Sequence, residues 1–553
     1  MKTDSLLRVG RMMADTASAI AVLHRRGMFD PWRPGEVIQS MRDAEVYGPF
    51  VTVLAHAARR DRDAPAIVDE LGTVTFGELD ARSNALGHGL SRAGFGPGSV
   101  LAVLCRDHRG MVLALLAAGR LGARAVLMNT GFAAPQLADV AAREHVDGIL
   151  LDSEFIELLS EIPHQIPRIL TWIDDPGARA LGYATIDELI TANSGEAPPA
   201  PEQAGGMVIL TSGTTGTPKG APRDKVSPLQ SAQFLDRIPL PRDDTMVVAA
   251  PTFHGTGLSQ LMLGWALGNK VVLQQRRFDP RKTLANIAEH RAATLVLVPT
   301  MLQRIVDLGP EVLGGVDTSS LRVIFAAGSS ISPDLSRRTA EAFGDVLYNL
   351  YASTEVAVAA VATPQDMRLA PGTVGRPPVG CRVAIYDEHR TLVTAPGVVG
   401  TIFVSSGLSF AGYTDGRNKE TVDGLLSSGD IGHFDADGRL FIDGRDDDMI
   451  VSGGENVFPL EVENLLVGRA DVLEAAVVGV EDRDFGKRLR AFIVRAEGAE
   501  PDPQEIKDYV KANLARHKVP RDVVFLDELP RNATGKLLRR RLEHSDPVEP
   551  SDA

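Results

Sequence analysis

Met207-Val-Ile-Leu-Thr-Ser-Gly-Thr-Thr-Gly-Thr-Pro-Lys-Gly220 runs a short apolar strand straight into a loop suited to anions. From Thr211 to Gly220, ten positions hold three glycines, four threonines, one serine and one lysine. Glycines let backbone N–H groups approach phosphate oxygens, hydroxyls add donors, and Lys219 supplies positive charge. A Walker A loop is excluded, because that pattern needs Gly before the Lys and Ser or Thr after it, whereas Pro218 precedes Lys219 here. The closing Pro-Lys-Gly also sets the stretch apart from a flexible linker.

Outward from this loop the chain alternates helical and short apolar segments. Helices are expected at 50–59 and 76–93, and buried strands at 100–104, 125–128, 148–151, 207–210, 245–249, 270–273, 294–298 and 323–326. That alternation predicts parallel sheets covered by helices. A Pro/Ala/Glu-rich surface loop at 195–206 interrupts it. After about residue 372 the pattern changes to short strands and Gly-rich turns, such as 382–386 and 400–404, which suggests a small β subdomain. From about residue 445, strands at 475–480, 490–494 and 522–525 surround an amphipathic helix at 504–515, a small α+β domain. The expected fold is therefore α/β: a large N-terminal domain of helix-covered sheets with a small β subdomain, then a small mobile α+β C-terminal domain. The boundaries fall at 1–45 (an N-terminal extension), 46–444, 445–543 and 544–553, the last a polar, disordered tail.

The 553 residues carry 72 acids and 58 Lys plus Arg, a formal charge of −14, which argues against a nucleic-acid surface. Two cysteines, Cys105 and Cys381, cannot form a disulfide framework, and neither has a second Cys or His at zinc-ligand spacing. No segment reaches the ~18 uninterrupted apolar residues of a membrane span; the run at 111–119 stops at Arg120. The basic N-terminus lacks the clean apolar core of a signal peptide, since Asp15 and then His24, Arg25 and Arg26 interrupt it. A soluble cytoplasmic protein is expected. Leu6, Val9, Met13, Ala17 and Ile20 recur on one helical side, the pattern of a helix packed on the body. A peripheral membrane contact through that helix and a homodimer stay as open alternatives.

At this point the sequence resembles the adenylate-forming superfamily of acyl-CoA synthetases, non-ribosomal adenylation domains and luciferases. Its motifs recur in the family's order: Val74-Thr-Phe-Gly-Glu-Leu79, 121–130, the phosphate loop, Phe253-His254-Gly255 and Tyr351-Ala-Ser-Thr-Glu355. Further on come Ser428-Gly-Asp430, Gly444-Arg-Asp-Asp-Asp-Met-Ile450, Ser452-Gly-Gly-Glu-Asn456 and Pro530-Arg-Asn-Ala-Thr-Gly-Lys536. The resemblance implies ATP-dependent activation of a carboxylic acid to an acyl-adenylate and then a CoA thioester, with ATP, Mg²⁺ and CoA as cofactors.

The same resemblance implies the roles. Thr211, Ser212, Gly213, Thr214, Thr215, Gly216 and Lys219 would hold ATP's phosphates. Tyr351 would line the adenine, Asp430 would accept the ribose hydroxyls with Arg445 assisting, and Thr354 would bond the α-phosphate. Glu355 would hold Mg²⁺, a hard carboxylate for a hard cation. Lys536 would bridge the substrate carboxylate and α-phosphate, neutralising charge where two anions meet. Asp447 matches the hinge about which the C-terminal domain turns, and Ser452, Gly453 and Gly454 would flank the CoA arm. By itself that Gly-Gly pair is as readily a plain β-turn. His254 falls where the family keeps an aromatic or His gate. Arg276 and Arg277 are candidates for CoA's phosphates or a solvated pair. Ala352 departs from the family's usual Gly.

Amino-acid-activating relatives place Asp after the Phe of Phe253-His254, so His254 disfavours an amino-acid substrate. The segment 255–268 is apolar, punctuated by Gly255, Gly257, Gly264 and Gly268, and holds no acid or base. That wall suits an alkyl or aryl chain. Its shortage of aromatics favours a medium- or long-chain fatty acid, with an aryl acid or a carrier-protein acceptor as alternatives.

Overall fold

The computed structural model describes residues 2–28, 34–211, 219–222, 228–274, 277–353, 355–407, 418–452, 455–482, 486–532 and 535–543. The tail 544–553 expected to be disordered lies outside them. Among the described residues four sheets form.

The sheet that carries most of the candidate site has eight strands in the order Ala357–Ala362, Leu347–Ser353, Val323–Ala327, Thr294–Leu297, Thr245–Val248, Lys270–Leu273, Pro65–Asp69 and Gly72–Thr75. The six inner strands are parallel, and the outer pair at each end is antiparallel. The four central strands are buried almost throughout, as continuous apolar runs should be when helices cover both faces. Pattern reading located these four and missed the antiparallel pair at each end, Ala357–Ala362 with Leu347–Ser353 and Pro65–Asp69 with Gly72–Thr75.

A seven-stranded sheet lies beside it, with Met207–Thr211 entering parallel and Lys219–Pro222 returning antiparallel as the edge strand. The helix Gly255–Ala266 sits in the common core. Its Trp265 is 1% exposed, stacks on Phe50 at 5.6 Å, meets the edge of Phe76 at 6.2 Å, and donates its indole N–H to Ala66 O at 3.1 Å. The 245–362 strands are followed by the six-stranded antiparallel sheet that includes Leu425–Phe434 and Leu440–Arg445. A five-stranded sheet with Pro459–Val467 and Pro503–Asn513 forms the C-terminal domain. The N-terminal stretch folds as two helices, Lys2–Arg25 and Pro34–Tyr47; the first packs against the short helical turns at Pro228–Leu235, with Arg26 Nε donating to Leu235 O. No helix among the described residues is long and apolar enough to cross a membrane.

One buried ion pair ties the two large sheets together. Asp69, at the end of its strand, receives the Arg109 guanidinium and backbone N–H, with Nη2 at 2.5 Å, and Arg109 also reaches Gly72 O at 2.7 Å. Burial pushes the Asp69 carboxyl up, but the bonds from Arg109 outweigh it and hold the group below the usual carboxylate range. Removing one partner strands the other charge, so Asp69→Ala is expected to destabilise by about 3–5 kcal/mol, read as a drop in urea midpoint against wild type. Because the folded value is depressed, the contribution is present above the ordinary carboxylate range and fades as pH falls through it. The gap between wild type and variant should therefore narrow under acid.

Candidate active site

Parallel strands all end on one edge, and loops leaving that edge build a common crevice. Four such exits converge here. Thr245–Val248 leads to His254 at the start of the helix Gly255–Ala266, and Thr294–Leu297 leads to Thr300 in the helix Pro299–Val306. Val323–Ala327 leads to Gly328, whose φ of +108° few other residues tolerate, and Leu347–Ser353 carries Tyr351 and ends beside Glu355. The phosphate-loop hairpin joins them from the neighbouring sheet: Ala221 on its returning strand packs in one apolar cluster with Val356, Ala359 and Ala360.

Tyr351 donates its hydroxyl to Asp430 Oδ2, bridging the eight-stranded sheet to the six-stranded one. Asp430 stands directly across from Arg445 in the strand register, with Arg445 Nη1 3.5 Å from its Oδ1. The Asp430 backbone is set by Ser428, whose Oγ accepts its N–H at 3.1 Å and donates to Ile402 O at 3.0 Å. Burial first, and then the Asp430 charge, push the Tyr351 phenol well above its ordinary value, so it stays a donor. Tyrosine, carboxylate and guanidinium thus form one connected polar group at the crevice. A ribose diol is the kind of ligand such a carboxylate accepts from.

The C-terminal domain reaches the same edge through the turn around Lys536. Asn532 N–H donates to Lys536 O at 2.9 Å, and Lys536 N–H donates to the Asn532 side-chain oxygen at 2.8 Å. Arg531 braces the turn from outside, donating to Gly535 O at 2.8 Å and to Glu474 Oε2 at 2.6 Å. Gly535 takes φ of +74°, and a Cβ placed on it would fall 3.2 Å from Thr300 Cβ and closer still to the Thr300 hydroxyl. Only glycine lets the turn seat this tightly, and the half-buried Lys536 directly follows the residue that meets Thr300. At Gly444 a Cβ would meet Phe458 at 2.8 Å, so this glycine too lets the C-terminal domain close against the strand that carries Arg445.

His254 lies half in the core, its ring 4.4 Å from that of Phe253, and its buried Nε2 has no hydrogen-bond partner. Burial lowers its pKa to about 4. The loop that presents it is fastened by a group invisible to motif reading: Asp107, far earlier in the chain, accepts the Thr252 N–H at 2.7 Å and the Thr252 hydroxyl. Burial pushes the Asp107 carboxyl up to about 6.

Of the sequence-derived candidates, the structure brings Lys536, Tyr351, Glu355, Asp430, Arg445 and His254 around one strand edge. Ser452 pairs with Glu455 across a hairpin in the C-terminal domain. Arg277 is exposed. Ser212, Gly213, Thr214, Thr215, Gly216, Thr354, Gly453, Gly454 and Arg276 lie outside the described residues, as do the side chains of Thr211, Lys219 and Asp447. Thr300, Gly328, the Asp107–Thr252 clamp and Gln260 were not singled out by sequence. Gly328, following an apolar run, carried a usable signal; the clamp, 145 positions apart, carried none. The donor set suits Mg²⁺ riding on a nucleotide: one carboxylate, Glu355, directly precedes Val356, which packs with Ala221 of the hairpin, and among the described residues no cluster of three or more ligating side chains forms a protein cage.

Two family models match the chain, one described as AMP-binding enzyme over residues 54–414 and one as AMP-binding enzyme C-terminal domain over residues 461–536. The chain is 33% identical to an indoleacetate–CoA ligase of Aromatoleum aromaticum, covering 84% of this chain and 91% of that protein. It is 30% identical to the fatty acid–[acyl-carrier-protein] ligase ScoC of Streptomyces coeruleorubidus, covering 89% and 95%. Among solved structures, o-succinylbenzoate CoA synthetase from Bacillus subtilis, in complex with its acyl-adenylate intermediate, superposes with a TM-score of 0.77. That pair is 28% identical, over 90% of this chain and 99% of that one.

The lowered pKa yields a pH prediction. His254 should remain neutral from pH 8 to 5 and take up its proton near pH 4, followed by ¹⁵N-histidine NMR with His254→Asn to assign the signal. Since the folded value lies below the unfolded one, this histidine costs stability as pH falls through 6.5 toward 4. His254→Asn should accordingly lose less stability than wild type between pH 7 and 5.

Proposed function

The chain belongs to the AMP-binding enzyme family, and from that premise we propose that it is an AMP-forming CoA ligase acting on an aryl acid. The observation that carries the reading is the seating of the Lys536 turn on Thr300, which delivers a cation to the edge where Tyr351, Asp430 and Glu355 already face. In the first step a substrate carboxylate oxygen bonds to the α-phosphorus of ATP and pyrophosphate leaves. Two anions must meet for this, so preorganised positive charge is the main requirement. Lys536 supplies it between carboxylate and α-phosphate, and the 211–219 hairpin, with Lys219, supplies it at the outer phosphates. Asp430 and Arg445 hold the ribose, Tyr351 lines the base, and Thr354 bonds the α-phosphate. Glu355 would hold Mg²⁺, which when bound neutralises the phosphate oxygens.

In the second step the thiol sulfur of CoA bonds to the acyl carbon and AMP leaves. Our reading gives this step to a second arrangement of the C-terminal domain, turned about Asp447, in which Lys536 withdraws and 452–454 approaches the thiol arm. The neutral His254 stands between the acid and that arm. The domain limits at 444–445 follow from the same reading.

The fatty acid favoured by the segment 255–268 gives way to an aryl acid. Two of the similar ligases, one by sequence and one by structure, act, by name, on indoleacetate and o-succinylbenzoate. The apolar segment suits a planar ring as well as an alkyl chain. ScoC keeps a fatty acid with a carrier-protein acceptor as the second reading.

ATP–pyrophosphate exchange and CoA consumption measured across indoleacetate, phenylacetate, benzoate, cinnamate and a C6–C16 fatty-acid ladder separate these readings. Exchange and CoA consumption are expected with aryl acids at the higher kcat/KM. Exchange only with fatty acids and no CoA consumption would favour the second reading, and no exchange with any acid would defeat both. Lys536→Ala should slow adenylation about 100- to 1,000-fold while largely keeping thioester formation from supplied acyl-adenylate. Equal loss of both steps would remove the two-arrangement account.

A further inference from the structure

Gln260 is fully enclosed in the helix Gly255–Ala266, and neither end of its side-chain amide has a hydrogen-bond partner. Asn84, Asn193 and Gln233 also bury an unpaired amide oxygen, but in each the nitrogen donates to a backbone carbonyl. Gln260 has neither. A buried amide with both ends unmatched works against the fold, and such groups persist where something else gains from them.

Its place on the helix says what that is. Residues four apart share a stripe, and Gly264, one turn beyond Gln260, faces the eight-stranded sheet: a Cβ there would meet Met246 and Val271 at 3.3 and 3.4 Å. Trp265 takes the other side, against Phe50 and Phe76. Gln260 therefore lies on the sheet-facing side, one turn nearer the strand edge. The helix begins at His254, whose own Nε2 is buried and unpaired. At ~1.5 Å per residue, Gln260 stands about 9 Å along the axis from His254. That is about the length of an aryl acid laid along the helix with its carboxylate at the edge.

We propose that Gln260 is the specificity-determining residue of the acid pocket, its amide pairing with a hydroxyl, amino or ring N–H group on the aryl acid's far end. An amide offers an acceptor and a donor, so it matches either kind of substituent. An alkyl chain or unsubstituted ring would leave it unmatched. The inference rests on the aryl-acid reading and adds the polar substituent.

The test is ATP–pyrophosphate exchange by wild type, Gln260→Leu and Gln260→Met with paired acids. The pairs are phenylacetate and its 4-hydroxy and 4-amino forms, and cinnamate and 4-hydroxycinnamate. Wild type should prefer the polar member of at least one pair by about tenfold in kcat/KM, the worth of one matched neutral hydrogen bond. Both variants should bring that ratio to one or below, leave the KM for ATP unchanged and keep or raise kcat/KM for the unsubstituted acid. Either variant, folded and active, with the wild-type ratio intact overturns the proposal, as does a wild type that prefers the unsubstituted member of every pair. A merely structural glutamine would move melting temperature and leave the ratio alone. If wild type activates none of these acids, the aryl-acid reading itself fails, a different result from an unmoved ratio.

Discussion

Parallel pairing constrains where chemistry can occur in this molecule. Six strands of one sheet run the same way, so six C-terminal ends share one edge, and a residue just past a strand is carried there whatever its distance in sequence. His254, Thr300, Gly328 and Tyr351 come from four separate exits. The antiparallel strand Ala357–Ala362 then turns the chain back and carries its apolar residues onto the phosphate-loop hairpin. The C-terminal domain completes the arrangement by placing a glycine against Thr300, where any side chain would hold it off.

Electrostatics at this edge differ from those of the molecule as a whole. The chain carries a formal charge of −14, yet the crevice collects cations around isolated carboxylates: Arg445 beside Asp430, and the Lys536 turn seated on the strand edge. Net charge governs long-range association; binding of anionic substrates depends on a few oriented groups. Burial adds a second layer. It keeps the Tyr351 phenol protonated and His254 uncharged, so both line the crevice as neutral groups.

Four central strands of the eight-stranded sheet and four strands of its neighbour were legible because helices cover both faces, which demands unbroken apolar runs. Pro65–Asp69, Gly72–Thr75 and Leu347–Ser353 were not, since their sequences mix polar and apolar residues; Ala357–Ala362, wholly apolar, escaped because alanine is a weak strand former. Tyr351, Asp430, Arg445 and Lys536 were found through ordered motifs. Thr300 escaped because its part is a contact with Gly535, 235 positions away, and Asp107 because its clamp on the Thr252 N–H and hydroxyl joins residues 145 positions apart. Gln260 escaped for a different reason. Counting charges along 255–268 finds none, and only burial on all sides turns a neutral amide into an unmatched one.

On the proposed two-step reading, the Lys536 turn seated on Thr300 is the adenylate-forming arrangement and must leave for the thiol step. A Cβ on residue 535 would fall 3.2 Å from Thr300 Cβ and closer still to its hydroxyl, so Gly535→Val holds the turn off its seat while leaving Lys536 itself intact. Single-turnover quenched flow on Gly535→Val should show acyl-adenylate formation slowed about 100-fold, with thioester formation from supplied acyl-adenylate and CoA kept near the wild-type rate. Adenylation at the wild-type rate, or equal loss of both steps, would contradict the account.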